Sequence, residues 1–294
     1  MTALRRLGIF FIACSAACAI LTGVGLFMPD EMSAPPSHLH EAWRPELASV
    51  HSVDEAAAIL PFYIEHQKGS REERIARGID QLIRDRFLHG ISETGFKDNW
   101  LDWLSGFAWE NLRQPVEPDQ ILQHRHALCS QQSIVFQALL KRYGIEYASI
   151  LISWPSDDPL SRGHFAVGAR IDGQWRYFDT DIEARAIGVP VSQVIDGSAV
   201  ARLYPDKPLL AATMRDAAEH GRISMAHVDQ FPAAHAALFQ EATRWFSAYG
   251  WMVLGALGLL CLAPYFLRWR ERPRARFDTP ALDARGTCAE SVGL

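Results

Sequence analysis

The sequence predicts an α+β fold that is flanked by two membrane-spanning helices. Two uncharged apolar runs lie near the chain ends, and the residues between them combine helical periodicity with a β-rich stretch over residues 146–182. The chain has 294 residues, of which 49% are hydrophobic and 21% charged, so it can bury a core and is not a disordered chain. Its net charge of −5 gives no overall electrostatic attraction to nucleic acid, so we expect no nucleic-acid partner.

Each uncharged run, residues 7–28 and residues 245–267, is long enough as a helix to cross a hydrocarbon core of about 30 Å. The first run is longer than the roughly 7–15 apolar residues of a signal peptide and no clear A-x-A site follows it, which favours a retained span. Arg5 and Arg6 precede the first run, and a series of arginines follows the second run from Arg268 onward. Because cations near the spans stay on the cytoplasmic side, we predict a cytoplasmic (inner) membrane protein with both termini in the cytoplasm. The lipid bilayer is then one partner, and the intervening domain is extracytoplasmic or periplasmic.

The pattern along the chain predicts six segments. Ser52 and Ser70 each begin a capping-box sequence in front of helical periodicity. The stretch beyond residue 183 reads as irregular until Pro232, from which one helix is expected to continue into the second span. The aromatic residues between Trp100 and Trp109 follow helical spacing and predict core packing. The segments are an N-terminal transmembrane helix (1–28), a linker (29–50), a helical subdomain (51–114), a core with an extension (115–231), a helix that includes the second span (232–270) and a cytoplasmic tail (271–294).

Cys129 is the only cysteine of the predicted extracytoplasmic domain. Cys14, Cys18 and Cys261 lie in the apolar runs, and Cys288 lies in the tail, so Cys129 has no intramolecular disulfide partner in its compartment. A lone thiol in an oxidising compartment is expected to be buried or to have a task. It also lies at the start of a predicted helix, where the backbone N–H groups and the helix dipole favour the thiolate and can hold an oxyanion.

That helix is predicted over residues 130–143, with Gly144 after its end. Three strands are predicted after it, over residues 146–154, 165–171 and 174–182. Asp172-Gly173 between the last two strands is a strong signal for a two-residue type I′ hairpin turn.

The hairpin turn predicts which side chains meet. Its register would bring His164 opposite Asp181 and Asp179 opposite Ala166, with the histidine and both aspartates on one face. A carboxylate that accepts the Nδ1–H of His164 would fix its tautomer and stabilise the imidazolium. Cys129 is the available nucleophile for such a pair.

These residues resemble the transglutaminase-like domain of the papain-like thiol enzymes. The resemblance rests on Cys129 at a helix start, Gly163-His164 at a strand start and the hairpin sequence Asp172-Gly173-Gln174-Trp175-Arg176-Tyr177-Phe178-Asp179. The spacings of 35 residues from Cys129 to His164 and 15 from His164 to Asp179 are also similar to that family, and the likeness covers roughly residues 115–185.

The resemblance implies a papain-like core, with a cysteine at a helix N-terminus packed against an antiparallel sheet that carries the histidine and the aspartate. It implies Cys129 as nucleophile, His164 as general base and acid, and Asp179 as the carboxylate that orients His164. Asp181 stays open as the alternative orienting residue. Gln123, six residues before Cys129, resembles an oxyanion-hole helper.

The sequence also departs from the family pattern, and one metal-binding alternative stays open. The aromatic residue that often stands two places after the histidine is here Phe165, one place early. Zinc ligation by His124, His126 and Cys129, with His164 as a fourth ligand, is an alternative, although closed zinc sites usually show two spaced ligand pairs.

The function expected from these residues is that of a membrane-anchored thiol hydrolase or acyl transferase that acts as a peptidase, amidase or transferase outside the cytoplasmic membrane. Its substrate would be a peptide, a protein or a modified envelope polymer, and envelope complex partners are possible. No nucleotide-binding glycine motif is present, so no cofactor is expected. The alternatives are a catalytically silent binding or scaffold module of an envelope complex and a zinc-dependent hydrolase.

Overall fold

The computed structural model of the chain describes residues 2–28, 43–156, 163–182, 184 and 187–270. Most of the predicted linker, the whole predicted tail and Cys288 lie outside these described residues. Within them, the fold is a mixed α+β fold, as the sequence predicts.

The helices account for most of the ordered backbone. They are α1 (Thr2–Gly25), α2 (Val53–Glu65), α3 (Arg71–Arg86), α4 (Trp100–Ser105), α5 (Pro118–Ile121), α6 (Cys129–Arg142), α7 (Val191–Ile195), α8 (Val200–Leu203), α9 (Pro208–Glu219) and α10 (Ala234–Arg270). Ser52 and Ser70 accept hydrogen bonds from the backbone N–H groups of Glu55 and Glu73, so both predicted helix caps are confirmed.

The strands form one pair and one larger sheet. They are β1 (Leu88–His89), β2 (His126–Ala127), β3 (Tyr147–Ser153), β4 (Gly163–Ile171), β5 (Gln174–Phe178), β6 (Val189–Pro190) and β7 (Ile223–Ala226). The two short strands β1 and β2 pair in parallel, and the other five form an antiparallel sheet in the order β6-β5-β4-β3-β7.

The chain divides into two compact units, of which the first comprises residues 1–19 and 249–294. In its described part, α1 and α10 approach closely at small residues: a Cβ on Gly258 would lie 2.8 Å from Ile12, and one on Gly8 would lie 2.8 Å from Leu262. The hydroxyl of Ser15 donates to a backbone carbonyl of α10 at 2.6 Å. Both helices are long and apolar enough to cross a membrane.

The second unit, residues 20–248, holds the five-stranded sheet between two helical layers. One apolar core joins the sheet to α2, α3 and α6, and a second joins its other face to α7, α8 and α9. Because side chains alternate along β4, Val167 and Ala169 enter the first core while Ala166 enters the second.

The long helix α6 packs against this sheet and begins at Cys129. Its aromatic contact with β5 joins Phe136 to Phe178, with ring centroids 5.5 Å apart. Gly144 follows the helix with a φ of 70°, a conformation that favours glycine, so the predicted helix end is confirmed.

The predicted hairpin turn is confirmed, but the strand after it is shorter than expected. Asp172 and Gly173 have φ values of 49° and 77°, as a type I′ turn requires, and the register follows from it. The β4–β5 ladder ends at the pair Val167–Phe178, so the expected pairings of His164 with Asp181 and of Ala166 with Asp179 were wrong. The strand ends because Asp179 turns the chain: its Oδ1 accepts the backbone N–H of Ile182 at 3.2 Å.

The stretch between residues 183 and 232 is more regular than predicted. It contains α7, α8, α9 and the edge strand β7, which covers the free side of β3. With five and four residues, α7 and α8 are too short to show a helical periodicity, whereas the twelve-residue α9 was missed despite its length. Val194, Leu203 and Met214 are fully buried among these helices.

The prediction of core packing for the aromatic residues after Trp100 was wrong in its second half. Trp100 is buried, whereas Phe107 and Trp109 are 70% and 73% exposed. The helix α4 ends at Ser105, so Phe107 and Trp109 lie beyond it and do not share its buried face.

Candidate active site

The thiol of Cys129 lies at the first residue of α6 and is partly exposed. The side chain of Gln131 fastens this helix start, because its Oε1 accepts the backbone N–H of Leu128 at 3.0 Å and the hydroxyl of Ser92 at 2.9 Å. The N–H groups of the first helical turn have no partners inside the helix and concentrate positive potential beside the thiol. The local structure can therefore stabilise both a thiolate and an oxyanion.

His164 reaches this thiol from the start of β4. Its neighbour Gly163 lies so close to β3 that a Cβ there would be 2.4 Å from the backbone oxygen of Ile152, which explains the glycine. His164 is buried and hydrogen-bonds the Cys129 side chain. Its Nε2 lies 2.9 Å from Oδ2 of Asp179. The expectation that a carboxylate binds Nδ1 was therefore wrong, and Nδ1 is the ring nitrogen left to exchange a proton with the thiol.

The carboxylate of Asp179 is enclosed by hydrogen-bond donors. Oδ2 accepts from the hydroxyl of Tyr204 and, at 3.4 Å, from that of Tyr177, in addition to His164. The two phenol oxygens lie 3.0 Å apart, and both side chains are buried. On the backbone side, Arg84 donates to the carbonyl oxygen of Asp179 at 2.8 Å. These contacts hold the carboxylate in one orientation toward the imidazole.

The buried side chains of His164 and Asp179 stabilise each other's charged forms. Burial opposes ionisation of Asp179, but the charge of His164 and the hydrogen bonds from His164 and Tyr204 outweigh it and lower the pKa to about 2. Burial also opposes the charged form of His164, but Asp179 and Cys129 raise its pKa well above 6.5. Burial and Asp179 raise the pKa of Tyr177 and Tyr204, so both phenols stay protonated and can donate.

Asp181 forms a second polar group beside the thiol. Its Oδ1 accepts from Nε2 of Gln132 at 2.9 Å and lies 2.6 Å from Nδ1 of His89. Asp181 is therefore close to the site but engaged with His89 and Gln132, whereas the hydrogen-bond partner of His164 is Asp179.

The structure brings together a different set of possible metal ligands from the predicted one. One ligand atom each of Cys129, His164 and Asp181 lies within 4.8 Å of the others, which is wide for a single ion. Among the described residues, His124 and His126 do not join this group. Burial, reinforced by the charge of Arg86, lowers the pKa of His124 to about 4.

Gln123 is not turned toward the thiol as the expected oxyanion helper. Its Nε2 donates to the backbone oxygens of His51 and Asp119, at 3.0 Å and 3.3 Å, so both amide hydrogens are engaged there. The backbone N–H groups at the start of α6 remain as candidate oxyanion donors.

Sequence reasoning missed several residues that surround the triad candidates. Tyr177 on β5 stands two residues before Asp179, the spacing that places side chains of an extended chain on one face, so this spacing could have indicated it. Tyr204, Arg84 and His89 come from other elements, and no local pattern links them to the hairpin.

Comparisons of the chain with models of protein families, with curated proteins and with solved structures find no match. The site itself combines a thiol at a helix start, an imidazole at a strand start and a buried carboxylate after a hairpin.

Proposed function

We propose that the chain is a membrane-anchored thiol enzyme of the transglutaminase-like type, with a papain-like core and a triad of Cys129, His164 and Asp179. The observation that carries this proposal is the 2.9 Å contact of His164 Nε2 with Asp179, made while the same imidazole hydrogen-bonds Cys129. A buried acid–imidazole pair next to a thiol at a helix N-terminus is the arrangement that activates a thiol nucleophile.

The chemistry follows from these positions. Nδ1 of His164 takes the proton of Cys129, the sulfur attacks the carbonyl carbon of an amide, and the α6 N–H groups hold the oxyanion. The C–N bond then breaks, the imidazolium gives its proton to the leaving amine, and a thioester remains on Cys129. Water or an amine attacks the thioester, the proton it loses passes through His164, and the C–S bond breaks to restore the enzyme.

The acceptor determines the outcome of the reaction. Water gives a peptidase or amidase, and an amine gives transfer or cross-linking. An amide-bearing peptide, protein or modified envelope polymer is the proposed substrate, because the domain is proposed to lie outside the cytoplasmic membrane.

That topology is part of the proposal. Arg5 and Arg6 lie before the first apolar run and Arg268 and Arg270 follow the second, which supports cytoplasmic termini for α1 and α10. The domain between the two helices would then be held on the outer face of the membrane.

The test of the proposed activity is acyl transfer from p-nitrophenyl acetate to the full chain in detergent. We expect a burst of p-nitrophenolate close to one equivalent and an acetyl group on Cys129 by mass spectrometry. His164→Ala should abolish the burst, whereas His220→Ala, which changes an exposed histidine directly after α9, should preserve it. The same burst in His164→Ala, or none in the native chain, would favour a catalytically silent binding module.

A metal-dependent hydrolase is the second candidate, because Cys129, His164 and Asp181 lie near one another. It predicts that a chelator abolishes the turnover of the ester and that zinc restores it. The thiol mechanism predicts that the burst survives the chelator and is removed by iodoacetamide.

A further inference from the structure

The short helix α4 and the turn after it present an exposed apolar surface. Leu104, Phe107 and Trp109 are 39%, 70% and 73% exposed, and we call these three residues the α4 aromatic surface. Large apolar side chains that are exposed at neighbouring positions are unusual in water, and they indicate a contact with an apolar phase.

The α4 aromatic surface is held in a fixed shape. The rings of Trp103 and Phe107 meet edge to face with centroids 4.9 Å apart, and the guanidinium group of Arg113 lies 4.5 Å above Phe107. Arg113 also donates to the backbone oxygen of Trp103 at 2.9 Å. A rigid aromatic pair with a cation beside it suits a boundary between an apolar phase and anionic headgroups.

The contacts of α4 with α1 and α10 indicate that this apolar phase is the membrane. The indole Nε1 of Trp100 donates to the backbone oxygen of Ser247 at 3.2 Å and to the hydroxyl of Thr22 at 3.3 Å. The backbone N–H of Leu101 donates to the hydroxyl of Ser247. Thr22 and Ser247 both lie inside the uncharged runs, a few residues from their domain-side ends. The first turn of α4 is therefore at the depth where both helices meet the membrane boundary.

A second contact sets the same depth. A Cβ on Gly25, at the end of α1, would lie 3.2 Å from the backbone of Lys97, three residues before α4. At the domain-side ends of the two uncharged runs, Phe27 is 89% exposed and Trp245 is 53% exposed, so large apolar side chains are exposed at both helix ends as well. Tryptophan and other aromatic residues are enriched at this level of membrane proteins.

We propose that the α4 aromatic surface lies in the headgroup region of the outer leaflet, so that the domain contacts the lipid bilayer beyond its two spans. This proposal rests on the membrane topology proposed above and does not depend on the thiol chemistry. It also concerns the active site, because Gln131 of α6 donates to Pro115, whose neighbour Val116 donates to Gln240 of α10. The start of α6 is thus linked through two hydrogen bonds to a residue five positions before the second apolar run.

The test measures depth with nitroxide labels in proteoliposomes of phosphatidylethanolamine and phosphatidylglycerol. The five native cysteines are replaced by alanine or serine, and single cysteines are introduced as Phe107→Cys and Trp109→Cys. Leu209→Cys on α9, 81% exposed, serves as the aqueous control, and Leu260→Cys in α10, 70% exposed, serves as the lipid control. Collision with oxygen reports the lipid phase, and collision with a water-soluble nickel complex reports the aqueous phase.

We expect the labels at 107 and 109 to collide with oxygen severalfold more than the label at 209 does, and with the nickel complex severalfold less. If the labels at positions 107 and 209 collide equally with the nickel complex while the label at position 260 is protected from it, the proposal is overturned but the membrane-spanning helices are retained. If the nickel complex reaches the label at position 260, α10 does not span the membrane, and the proposal loses the topology on which it rests. With the native cysteines in place, photolabelling by a lipid-soluble diazirine should modify the peptide that carries residues 104–109.

Discussion

At the scale of single residues, Asp179 is where the buried polar contacts of the site converge. It contacts His164, Tyr204, Tyr177 and the backbone of Ile182, and it is almost completely buried. A buried carboxylate is tolerated only when its oxygens are satisfied, so these donors determine both its charge and its direction.

Tyr204→Phe should therefore cost more stability than Tyr177→Phe. Tyr204 donates directly to the charged Oδ2, and losing such a bond costs roughly 1.5–3 kcal/mol. The hydroxyl of Tyr177 is 3.4 Å from the same oxygen, so its loss should cost about 0.5–1.5 kcal/mol. Urea unfolding of the full chain in detergent measures both variants, and equal losses would contradict the assigned roles.

The stability that the His164–Asp179 pair contributes should depend on pH with a defined sign. The raised pKa of His164 gives a contribution that is complete below 6.5 and is lost as pH rises through the raised value. The lowered pKa of Asp179 gives a contribution that is present above 3.8 and is lost as pH falls through about 2.

The difference in the free energy of unfolding between the native chain and His164→Ala should thus be largest between pH 3.8 and 6.5. The difference should shrink in alkaline solution, because the imidazole then loses its charge. Urea unfolding of both chains across this range gives the difference directly, and a gap that widens with rising pH would show that the pair is not held as an ion pair.

The residues of the site differ in how far sequence could predict them. Cys129, His164 and Asp179 were predictable because a helix start and a hairpin turn are encoded by adjacent residues. Tyr204 was not, since it reaches Asp179 from α8, and only tertiary packing determines that meeting. The choice of Asp179 as the partner of His164 also needed the structure, because the strand ends one residue before it.

At the scale of elements, Gln240 connects α10 to the segment that precedes α5. Its Oε1 accepts the N–H of Val116 at 3.1 Å, and its Nε2 donates to the backbone oxygens of Leu112 and Gln114. The side chain is buried, so these backbone groups depend on it for hydrogen bonds.

Gln240→Ala should destabilise the domain by about 2–4 kcal/mol, because it leaves several buried backbone groups without this partner. Glu241→Ala changes the exposed neighbour on the same helix and should cost less than about 0.5 kcal/mol. Unfolding in urea, followed by tryptophan fluorescence, compares the two. Similar stabilities would show that α10 is not fastened to the domain through Gln240.

Elements with strong local signals were predictable, and those held by packing were not. The capping serines, the Asp172-Gly173 turn and Gly144 each determine the backbone around them. In contrast, α7 and α8 have only five and four residues and pack against the second face of the sheet, so their sequences carry little independent signal.

At the scale of the whole molecule, the proposed topology predicts which cysteines a membrane-impermeant thiol reagent reaches. In a Cys129→Ala chain, a cysteine introduced as Phe62→Cys, at a position 73% exposed on α2, should be labelled from the outer face of intact cells or spheroplasts. The native Cys288 should be labelled only after the membrane is opened. Labelling of Cys288 before lysis, or of position 62 only after it, would contradict the orientation.

The two long apolar helices were predictable because composition alone indicates them. The contact of the domain with the helix ends was not, since it depends on Asn99, Trp100 and Ser247 meeting across long sequence separations. The exposed rings of Phe107 and Trp109 were predicted to be core residues because the sequence does not show that α4 ends at Ser105.

The central claim is that His164 activates Cys129, and the rate of Cys129 alkylation tests it most directly. Iodoacetamide is added at pH 6 to the native chain, His164→Ala and the control His220→Ala, and mass spectrometry follows the modified Cys129 peptide. We predict that His164→Ala slows the reaction by about tenfold or more, because Cys129 loses the imidazole that takes its proton, while the control reacts at the native rate. Equal rates in all three chains would contradict the claim.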